Sequence, residues 1–456
     1  MKPHPLKSLA AGALGVLLAA CQAGCSFAGL DAKTLMSPPR ANLEQQGIYE
    51  LLQEDRQELT FVYPKRGDYR SAIIMRDWSG DGVNDAIGFI LDERGVEVYF
   101  LEKSQDSWRT AASFLNTATQ VDMVLFGDLD GDGQEDVLIG WGSASGSTGR
   151  TASAAAYLYR DGNVSQSLLG TYGEMSLTDF DEDGVCEVFT IDKFLAAEEE
   201  GAESSPALAR VYAWQDGALK ALYTANGDNS IVNYSSIHFG TLELGLSGVA
   251  VDGAKADGSM TTQVFTLEDG LLKNSPSGVN TEGYQNPFSR PSAAPFSSQD
   301  INGDGVLELP VVTRLPGLPE EAVLDSTSFL VEWVHYQDSG GYEPVITTLM
   351  NLGENYWFTL PDGLVGRISA SNSTDSRTVT YTEVVTGEDG AQRLGSPLFT
   401  IRVFTRSAWD SRGETAGYQQ LDAHGDLVYG IQILTQDEQY LRYINRIQNQ
   451  FHVTLA

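Results

Sequence analysis

At residues 128–136 the chain reads Asp-Leu-Asp-Gly-Asp-Gly-Gln-Glu-Asp, and this nine-residue pattern occurs four times in the sequence. Oxygen-bearing side chains occupy positions 1, 3, 5 and 9, glycine occupies position 6, and position 7 offers its backbone carbonyl. A hard cation with six or more oxygen ligands requires such a set from one short loop, and the glycine allows the sharp turn. The pattern therefore predicts calcium binding.

The four copies are named loop 1 (residues 77–85), loop 2 (128–136), loop 3 (179–187) and loop 4 (300–308). The predicted ligands of loop 1 are Asp77, Ser79, Asp81, the carbonyl of Val83, and Asp85. Those of loop 2 are Asp128, Asp130, Asp132, the carbonyl of Gln134, and Asp136. Those of loop 3 are Asp179, Asp181, Asp183, the carbonyl of Val185, and Glu187. Those of loop 4 are Asp300, Asn302, Asp304, the carbonyl of Val306, and Glu308. We expect about four structural Ca²⁺ ions per chain.

An EF-hand and an ordinary Asp-Gly hairpin turn each share part of this pattern. An EF-hand needs a bidentate Glu at position 12 and flanking helices, whereas position 12 here is Gly88, Ile139, Thr190 or Val311. The flanking segments are short, apolar and rich in β-branched residues, so each loop is expected to join two strands. Ordinary Asp-Gly hairpin turns would account for one copy, but four copies with one spacing favour a metal loop.

The loops recur with a regular period. Asp77, Asp128 and Asp179 are 51 residues apart, and the longer interval to Asp300 leaves room for one repeat without ligands near Asp252 and an acidic insertion at residues 195–206. Each repeat contains four short strands bounded by turn residues. Repeats of about 50 residues with four strands each predict a mainly β protein, a β-propeller of about five four-stranded blades.

The loops also resemble a known family. Loop 2 with its flanks Phe126-Gly127 and Val137, and its three relatives, resemble the FG-GAP and VCBS repeats of integrin-type propellers, here in a bacterial lipoprotein. The resemblance covers roughly residues 59–350. It implies that each loop lies between the first two strands of a blade, and that the calcium is structural and opposite the usual partner-binding face. Ser79 departs from the pattern because it is neutral, and the repeat near Asp252 has no counterpart.

The N-terminus predicts export and a lipid anchor. Lys2 and Lys7 accompany an uncharged apolar run at residues 9–20, which is too short for a permanent membrane span. The run ends Leu18-Ala19-Ala20-Cys21, which resembles the bacterial lipobox. Residues 1–20 are therefore a predicted lipoprotein signal peptide, Cys21 the lipidation site and residues 21–42 a tether. Cleavage as an ordinary secretory signal, or lipidation at Cys25, are the alternatives.

Composition agrees with an extracytoplasmic placement at the cell membrane or surface. The chain carries 62 acidic and 29 basic residues, a net charge of −33. This charge argues against nucleic acid and anionic lipid as partners, so we expect contact with the membrane through the lipid anchor only. Among the three cysteines only Cys186 lies in the predicted folded part, so no disulfide framework is expected.

The predicted propeller covers residues 43–353, with a helix at residues 43–58 before the first strand. Residues 354–456 lack a metal loop and predict a small α+β domain. Its last helix is expected to start at the capping box Thr435-Gln436-Asp437-Glu438. An additional blade with a helical tail is the alternative.

No catalytic motif accompanies the loops in the sequence. His238, His335, His424 and His452 have no metal-ligand spacing, and no nucleophile elbow or phosphate-binding loop occurs. Two functions remain open. The first is a surface-anchored, calcium-stabilised binding or adhesion module for an extracellular protein or glycan. The second is an extracellular carbohydrate-active enzyme with its site in the propeller funnel or at the junction with the C-terminal domain, which an acidic-plus-basic cluster in the funnel would favour.

Overall fold

The computed structural model describes residues 43–54, 56, 58–104, 107–142, 152–160, 162–197, 203–243, 245–318, 327–337, 341–373, 376–413 and 416–454. The predicted signal peptide (1–20), Cys21 with the tether (21–42), and residues 198–202 of the acidic insertion lie outside these residues. The chain divides into two compact units, of which the smaller contains the described residues up to 59 together with residues 104–109.

The smaller unit contains one helix, α1 (Leu43–Gln53). Ile48 and Leu52 lie four residues apart on one side of this helix, and both are buried. Gly47 packs closely on Trp108, because a Cβ at position 47 would lie 2.9 Å from the indole Cδ1. The helix ends at Gln53, five residues before the predicted end, and the chain continues in a turn in which the Arg56 amide donates to the Gln53 carbonyl.

The described residues form six antiparallel sheets. Sheet 1 contains β1 to β5: Thr60–Phe61, Ile73–Arg76, Asp85–Asp92, Gly95–Ser104 and Ser107–Asn116. Sheet 2 contains β6 to β9: Gln120–Gly127, Asp136–Gly142, Ala152–Arg160 and Asn163–Tyr172. Sheet 3 contains β10 to β13: Glu174–Thr178, Glu187–Ile191, Leu208–Gln215 and Ala218–Asn226. Sheet 4 contains β14 to β17: Ile231–Glu243, Leu246–Lys255, Met260–Glu268 and Leu271–Ser275.

The C-terminal part contains the other two sheets. Sheet 5 begins with β18 to β21: Glu308–Thr313, Ser328–Tyr336, Tyr342–Asn351 and Tyr356–Thr359. Sheet 6 contains β22 to β26: Ile368–Ser373, Thr378–Thr386, Gln392–Thr405, Gln419–His424 and Leu427–Ile433. The helical segments here are a 3₁₀ turn (Asp362–Leu364), α2 (Arg406–Ala408), a π-helical turn (Trp409–Gly413) and α3 (Glu438–Ile447). The last strand, β27 (Phe451–Val453), pairs with β21 and gives sheet 5 a fifth strand.

The protein is therefore mainly β, with the four-stranded antiparallel sheet as its recurring unit. This confirms the predicted class and the repeated four-stranded sheets. Strands in sheets 2, 3 and 4 pair in chain order, so each of these sheets is an antiparallel meander of consecutive strands. Among the helices of the described residues, none has the length and apolar character needed to cross a membrane.

Strand β7 shows why its sequence is a continuous apolar run. Ile139 lies in a buried cluster with Phe89 of sheet 1, whereas Leu138 lies in a different cluster with Val188 of sheet 3. Successive side chains of a strand point to opposite faces, so sheet 2 is buried on both faces. Further clusters join sheets 3 and 4, 4 and 5, and 5 and 6, so this packing follows chain order.

Sheet 4 corresponds to the repeat that lacks the ligand pattern. Its Asp252 is fully buried and forms an ion pair with the fully buried Arg290, with 2.8 Å between Oδ1 and Nη2. The Asp252 carboxylate also accepts hydrogen bonds from the hydroxyls of Ser236 and Thr262 and from the Ser298 amide. These contacts hold the segment that leads to loop 4 against sheet 4.

The predicted boundary between residues 353 and 354 falls inside sheet 5, because β21 pairs with β20 on one side and β27 on the other. The C-terminal segment then forms sheet 6, and α3 packs with sheets 5 and 6 through Ile444 and Ile447. The N-cap of α3 is Asp437, which accepts a hydrogen bond from the Gln439 amide, while Thr435 accepts one from the Asp437 amide. The helix thus starts two residues later than the capping box predicts.

Candidate metal centres

All four loops share one arrangement of hydrogen bonds around the acid at position 1. The amide of the position-6 glycine donates to this acid in every loop: Gly82 to Asp77 at 2.8 Å, Gly133 to Asp128 at 2.8 Å, Gly184 to Asp179 at 3.1 Å and Gly305 to Asp300 at 2.9 Å. These glycines have φ between 84° and 88°, the left-handed region that glycine tolerates best. The backbone therefore orients the first predicted ligand of each loop.

The acids at positions 5 and 9 are held in the same manner. Position 5 accepts from the amide of position 7 in each loop, at 2.7 Å for Val83, 2.9 Å for Gln134, 2.8 Å for Val185 and 2.8 Å for Val306. Position 9 is the first residue of the strand that follows the loop, and its carboxylate accepts an amide from position 2 or 3. Loops 1 to 3 connect the first two strands of a meander, at β2–β3, β6–β7 and β10–β11. Loop 4 precedes β18. On its other side the described chain forms a single antiparallel bridge, from Gln299 to Glu308, in the place of a first strand.

Side-chain ligand atoms converge in three of the loops among the described residues. The convergent groups, each with its ligand atoms within 4.8 Å of one another, are Asp128, Asp130 and Asp136; Asp179, Asp181 and Asp183; and Asp304, Glu308 and His335. Loop 1 has the shared backbone arrangement, with Asp77 and Asp85 bonded to loop amides, but its acids form no such group in the described part of the chain.

His335 is a residue that the sequence pattern missed. It lies on β19 directly opposite Glu308, the first residue of β18. Its Nε2 is 2.9 Å from Glu308 Oε1 and 3.8 Å from Asp304 Oδ2. No local spacing connects His335 to loop 4, because strand register alone creates the contact. The one signal that the sequence offers is the apolar run at residues 328–336, which is compatible with the strand β19 that carries His335.

Burial shifts the pKa of the ninth-position acids upward. Desolvation raises the pKa of Asp136 to about 7 and that of Glu187 to about 7, and the nearby loop carboxylates add to both shifts. Desolvation also raises the pKa of Asp85 and Glu308. A bound cation would favour the ionised form of these acids, because an opposite charge offsets the loss of hydration. The donor set is all oxygen in loops 1 to 3, which fits a hard cation.

Loops 2 and 4 already place protein donors against their acids. In loop 2, Arg160 Nη2 lies 3.0 Å from Asp130 Oδ2, which is buried and makes no hydrogen bond. In loop 4, Asn302 Nδ2 donates to Asp304 and Glu308, each at 2.9 Å. A cation in either loop must displace or reorient these groups, whereas the three acids of loop 3 have no such side-chain donor among the hydrogen bonds of the described residues.

Loops 2 and 3 contact each other directly. The Cys186 amide in loop 3 donates to the carbonyl of Asp128, the first acid of loop 2, at 2.6 Å. Val185 packs on Gly131, because a Cβ at position 131 would lie 3.2 Å from Val185 Cγ2. Movement of loop 3 therefore reaches the ligand backbone of loop 2.

The other loops are linked to their neighbours through different atoms. Glu135 of loop 2 accepts two hydrogen bonds, at 2.6 and 2.5 Å, from the guanidinium of Arg76, the residue before loop 1. In loop 4, the Leu307 amide donates at 2.8 Å to the carbonyl of Thr241 in β14. Loops 1 to 3 thus form a continuous row, and loop 4 is joined to sheet 4.

A separate charged cluster connects the first strands of sheets 2 and 3. Arg66 donates to Asp122 on β6 at 2.8 Å and to Glu174 on β10 at 2.5 Å. The Tyr172 hydroxyl donates to Asp122 at 2.6 Å. Hydrogen bonds and charge attraction from both acids raise the Arg66 pKa against the opposing effect of burial.

Comparisons with known proteins assign no family. No protein-family model and no curated protein matches this sequence. Among solved structures, the exotype rhamnogalacturonan lyase YesX is 14% identical, with a TM-score of 0.30 and coverage of 73% of each chain. Rhamnogalacturonan lyase YesW is 12% identical, with a TM-score of 0.30 and coverage of 74% of this chain and 75% of that chain. The Bacillus licheniformis rhamnogalacturonan lyase PL11 is 14% identical, with a TM-score of 0.29 and the same coverages. These values are too low to carry an argument about fold or activity.

Proposed function

We propose that loops 1 to 4 bind calcium and that the ions stabilise the fold. The convergence of Asp128, Asp130 and Asp136 within 4.8 Å, on a backbone arrangement common to all four loops, is the observation that carries this proposal. Calorimetry on the metal-stripped full chain carrying Cys21→Ser should give about four calcium ions per chain. A count of zero or one would contradict the assignment.

We further propose that the sheets are arranged radially as propeller blades, related to FG-GAP and VCBS repeats. Support comes from the first strands of sheets 2, 3 and 4, since β6 contacts β10 and β10 contacts β14. The last strands follow the same order, since β9 contacts β13 and β13 contacts β17. A crystal structure tests the proposal, because a propeller requires sheet 1 to pack against the final sheet of the ring.

Export and anchoring complete the proposed setting. A lipid on Cys21 and the tether at residues 21–42 would hold the protein at the extracytoplasmic face of the bacterial membrane. Mass spectrometry of the N-terminal peptide should find an acylated Cys21, and Cys21→Ser should release the protein from the membrane fraction. Retention of the Cys21→Ser protein in that fraction would argue against the anchor.

Within this setting the protein is a binding or adhesion module for an extracellular protein or glycan. Its four acidic loops hold structural cations. The strand ends and connections on the side opposite these loops are therefore available to a partner. Glycan and protein arrays with the Cys21→Ser full chain, with calcium and with EGTA, test this function. We expect a partner to bind in calcium and not in EGTA. Equal binding in both would show that partner recognition does not depend on the loops.

The Arg66 cluster favours a second candidate, a carbohydrate-active enzyme. In a radial arrangement, Asp122 and Glu174 lie on innermost strands, and two carboxylates on one cation are a possible acid and base pair. Polysaccharide cleavage that is lost in Glu174→Gln while the melting temperature is retained would support the enzyme. Loss of stability without any measurable cleavage by the unmodified protein would identify the cluster as structural.

A further inference from the structure

A cavity of about 460 Å³ lies beside sheet 5. Its lining is mainly apolar, from Pro291, Ala293, Val312, Leu315, Leu318 and Phe329. The cavity lies at the end of β18 that is remote from loop 4. Loop 4 ends at Glu308, the first residue of β18, whereas the cavity residues of this strand begin at Val312. Its volume falls within the range of small-molecule sites.

Among the described residues of this lining, Arg314 is the one with a charge. It is exposed, and within the described part of the chain it makes no hydrogen bond or ion pair. By contrast, eight other described arginines form ion pairs with acids: Arg66, Arg76, Arg94, Arg160, Arg210, Arg290, Arg377 and Arg393. Arg314 therefore presents a positive charge without a described acid partner at the wall of an apolar cavity, in a chain with 62 acidic and 29 basic residues.

We propose that this cavity binds a small monocarboxylic acid with an aromatic or branched aliphatic body. The body occupies the space between Val312, Leu315 and Phe329, and the carboxylate accepts two parallel hydrogen bonds from the Arg314 guanidinium. A single arginine balances a single negative charge. The net charge of −33 disfavours a doubly charged phosphate at the same place. The inference adds a small-molecule ligand to the proposed protein or glycan partner, and it is independent of the calcium loops.

The test uses the full chain carrying Cys21→Ser, which avoids detergent that could fill an apolar cavity. Calcium is present throughout. Ligand-observed NMR and calorimetry compare 3-phenylpropionate and 4-methylpentanoate with their uncharged amides. We expect the acids to bind with at least about tenfold higher affinity than the amides, since a hydrogen bond to a charged group exceeds one to a neutral group. Equal affinities for acid and amide would overturn the proposal.

Three variants locate the site. Arg314→Gln should weaken binding of the acids by about tenfold and leave the amides unchanged, because only the charge is lost. Ala293→Leu should block acid and amide alike, because it places a larger side chain at an exposed position of the lining. Arg446→Gln, at an exposed position near the end of α3 and not among the lining residues, removes the same charge and should change nothing.

The outcomes separate this proposal from the wider function. An effect of Arg446→Gln equal to that of Arg314→Gln would mean general charge attraction and would overturn the site. Array binding of a protein or glycan, without binding of any acid at millimolar concentration, would refute the cavity proposal alone. Acid binding together with failure to bind calcium would refute the loop assignment alone.

Discussion

Position 4 of each loop adopts a left-handed backbone conformation, and loop 3 alone places a non-glycine residue there. The φ angles are 72° at Gly80, 76° at Gly131, 58° at Glu182 and 80° at Gly303. A Cβ in this region meets the following carbonyl oxygen, at a cost of about 1–2 kcal/mol. Loop 3 therefore carries backbone strain that the other three loops avoid.

Replacing Glu182 by Gly should relieve that strain. We expect the free energy of unfolding to rise by about 1 kcal/mol, since the gain is partly offset by the greater freedom of glycine in the unfolded chain. The Ser247 hydroxyl bond to Glu182, at 3.4 Å, is weak enough to lose. Urea denaturation in calcium and in EGTA measures the change. Gly303→Glu is the matched control, because open space surrounds its Cβ position, and it should destabilise by a similar amount.

The buried ninth-position acids predict a pH dependence of the metal-free protein. Asp136 and Glu187 have pKa values of about 7 in the folded state, against about 4 when unfolded. A raised carboxyl pKa stabilises the fold below the unfolded pKa, and this contribution is lost as pH rises to the folded pKa. In EGTA the melting temperature should therefore fall between about pH 4 and pH 7.

Calcium should remove this fall, because the cation favours the ionised acids. Thermal melts at several pH values, with and without EGTA, provide the measurement. The double variant Asp136→Asn, Glu187→Gln should show a smaller fall in EGTA than the unmodified protein. A metal-free melting temperature that rises through this window would show that these carboxyls are hydrated and not buried.

The proposed ligand positions could be chosen from the sequence because they lie within nine consecutive residues. His335 and Arg160 were not accessible, since each reaches its loop from another strand, and strand register decides which residues meet. The structure places burial first among the causes for Asp136 and Glu187 and neighbouring acids after it.

At the scale of elements, loops 1, 2 and 3 behave as a connected row. The Cys186 amide holds the Asp128 carbonyl, and Arg76 holds Glu135. If a cation orders one loop, the contacts of that loop also restrict the adjacent loop. The entropy cost of ordering the adjacent loop when its own cation binds is then smaller. Loop 4 is separated from the row by sheet 4, which has no ligand pattern.

Asp128→Ala should therefore affect more than its own site. We expect the calcium affinity of the remaining sites of the row to fall several-fold, while loop 4 keeps its affinity. Calcium titrations of single-loop and double-loop knockouts, followed by calorimetry, measure these couplings. Asp300→Ala is the control in loop 4, and it should leave loops 1 to 3 unchanged. Independent, additive losses in every combination would mean that the contacts between loops transmit nothing.

The repeat of strands was predictable because each sheet from 2 to 4 is made from strands that are consecutive in the chain. The extent of sheet 5 beyond residue 353 was not predictable. Its strand β21 pairs with β27 as well as with β20, and β27 follows all the strands of sheet 6 in the sequence. A three-residue strand carries no periodic signal of its own. The helix α3 was predicted by its apolar face, which buries Ile444 and Ile447.

At the scale of the whole molecule, the proposed cation binding would be coupled to folding in one equilibrium. A ligand that binds only the folded form contributes RT ln(1 + [L]/Kd), about 2.7 kcal/mol per site at a hundredfold excess over Kd. Four sites then add on the order of 10 kcal/mol. This is comparable with the total stability of a typical domain, about 5–15 kcal/mol.

Removal of calcium should accordingly lower the melting temperature of the full chain by more than about ten degrees. Differential scanning calorimetry with excess calcium and with EGTA is the measurement. Magnesium at the same concentration is the control, since it demands a smaller, octahedral oxygen shell and should restore little of the loss. Superimposable melting curves with calcium and with EGTA would reduce the loops to ordinary turns.

The pairing of β27 with β21 sets an order of events during synthesis of the chain. Sheets 2, 3 and 4 are each complete as soon as their own strands have emerged, but sheet 5 must wait until sheet 6 and α3 have been made. Until then β21 presents unpaired amides and carbonyls along Tyr356–Thr359, an edge that invites another chain to add a strand. A chain released before Phe451 would therefore keep this edge of β21 unpaired and open to strand addition by another chain.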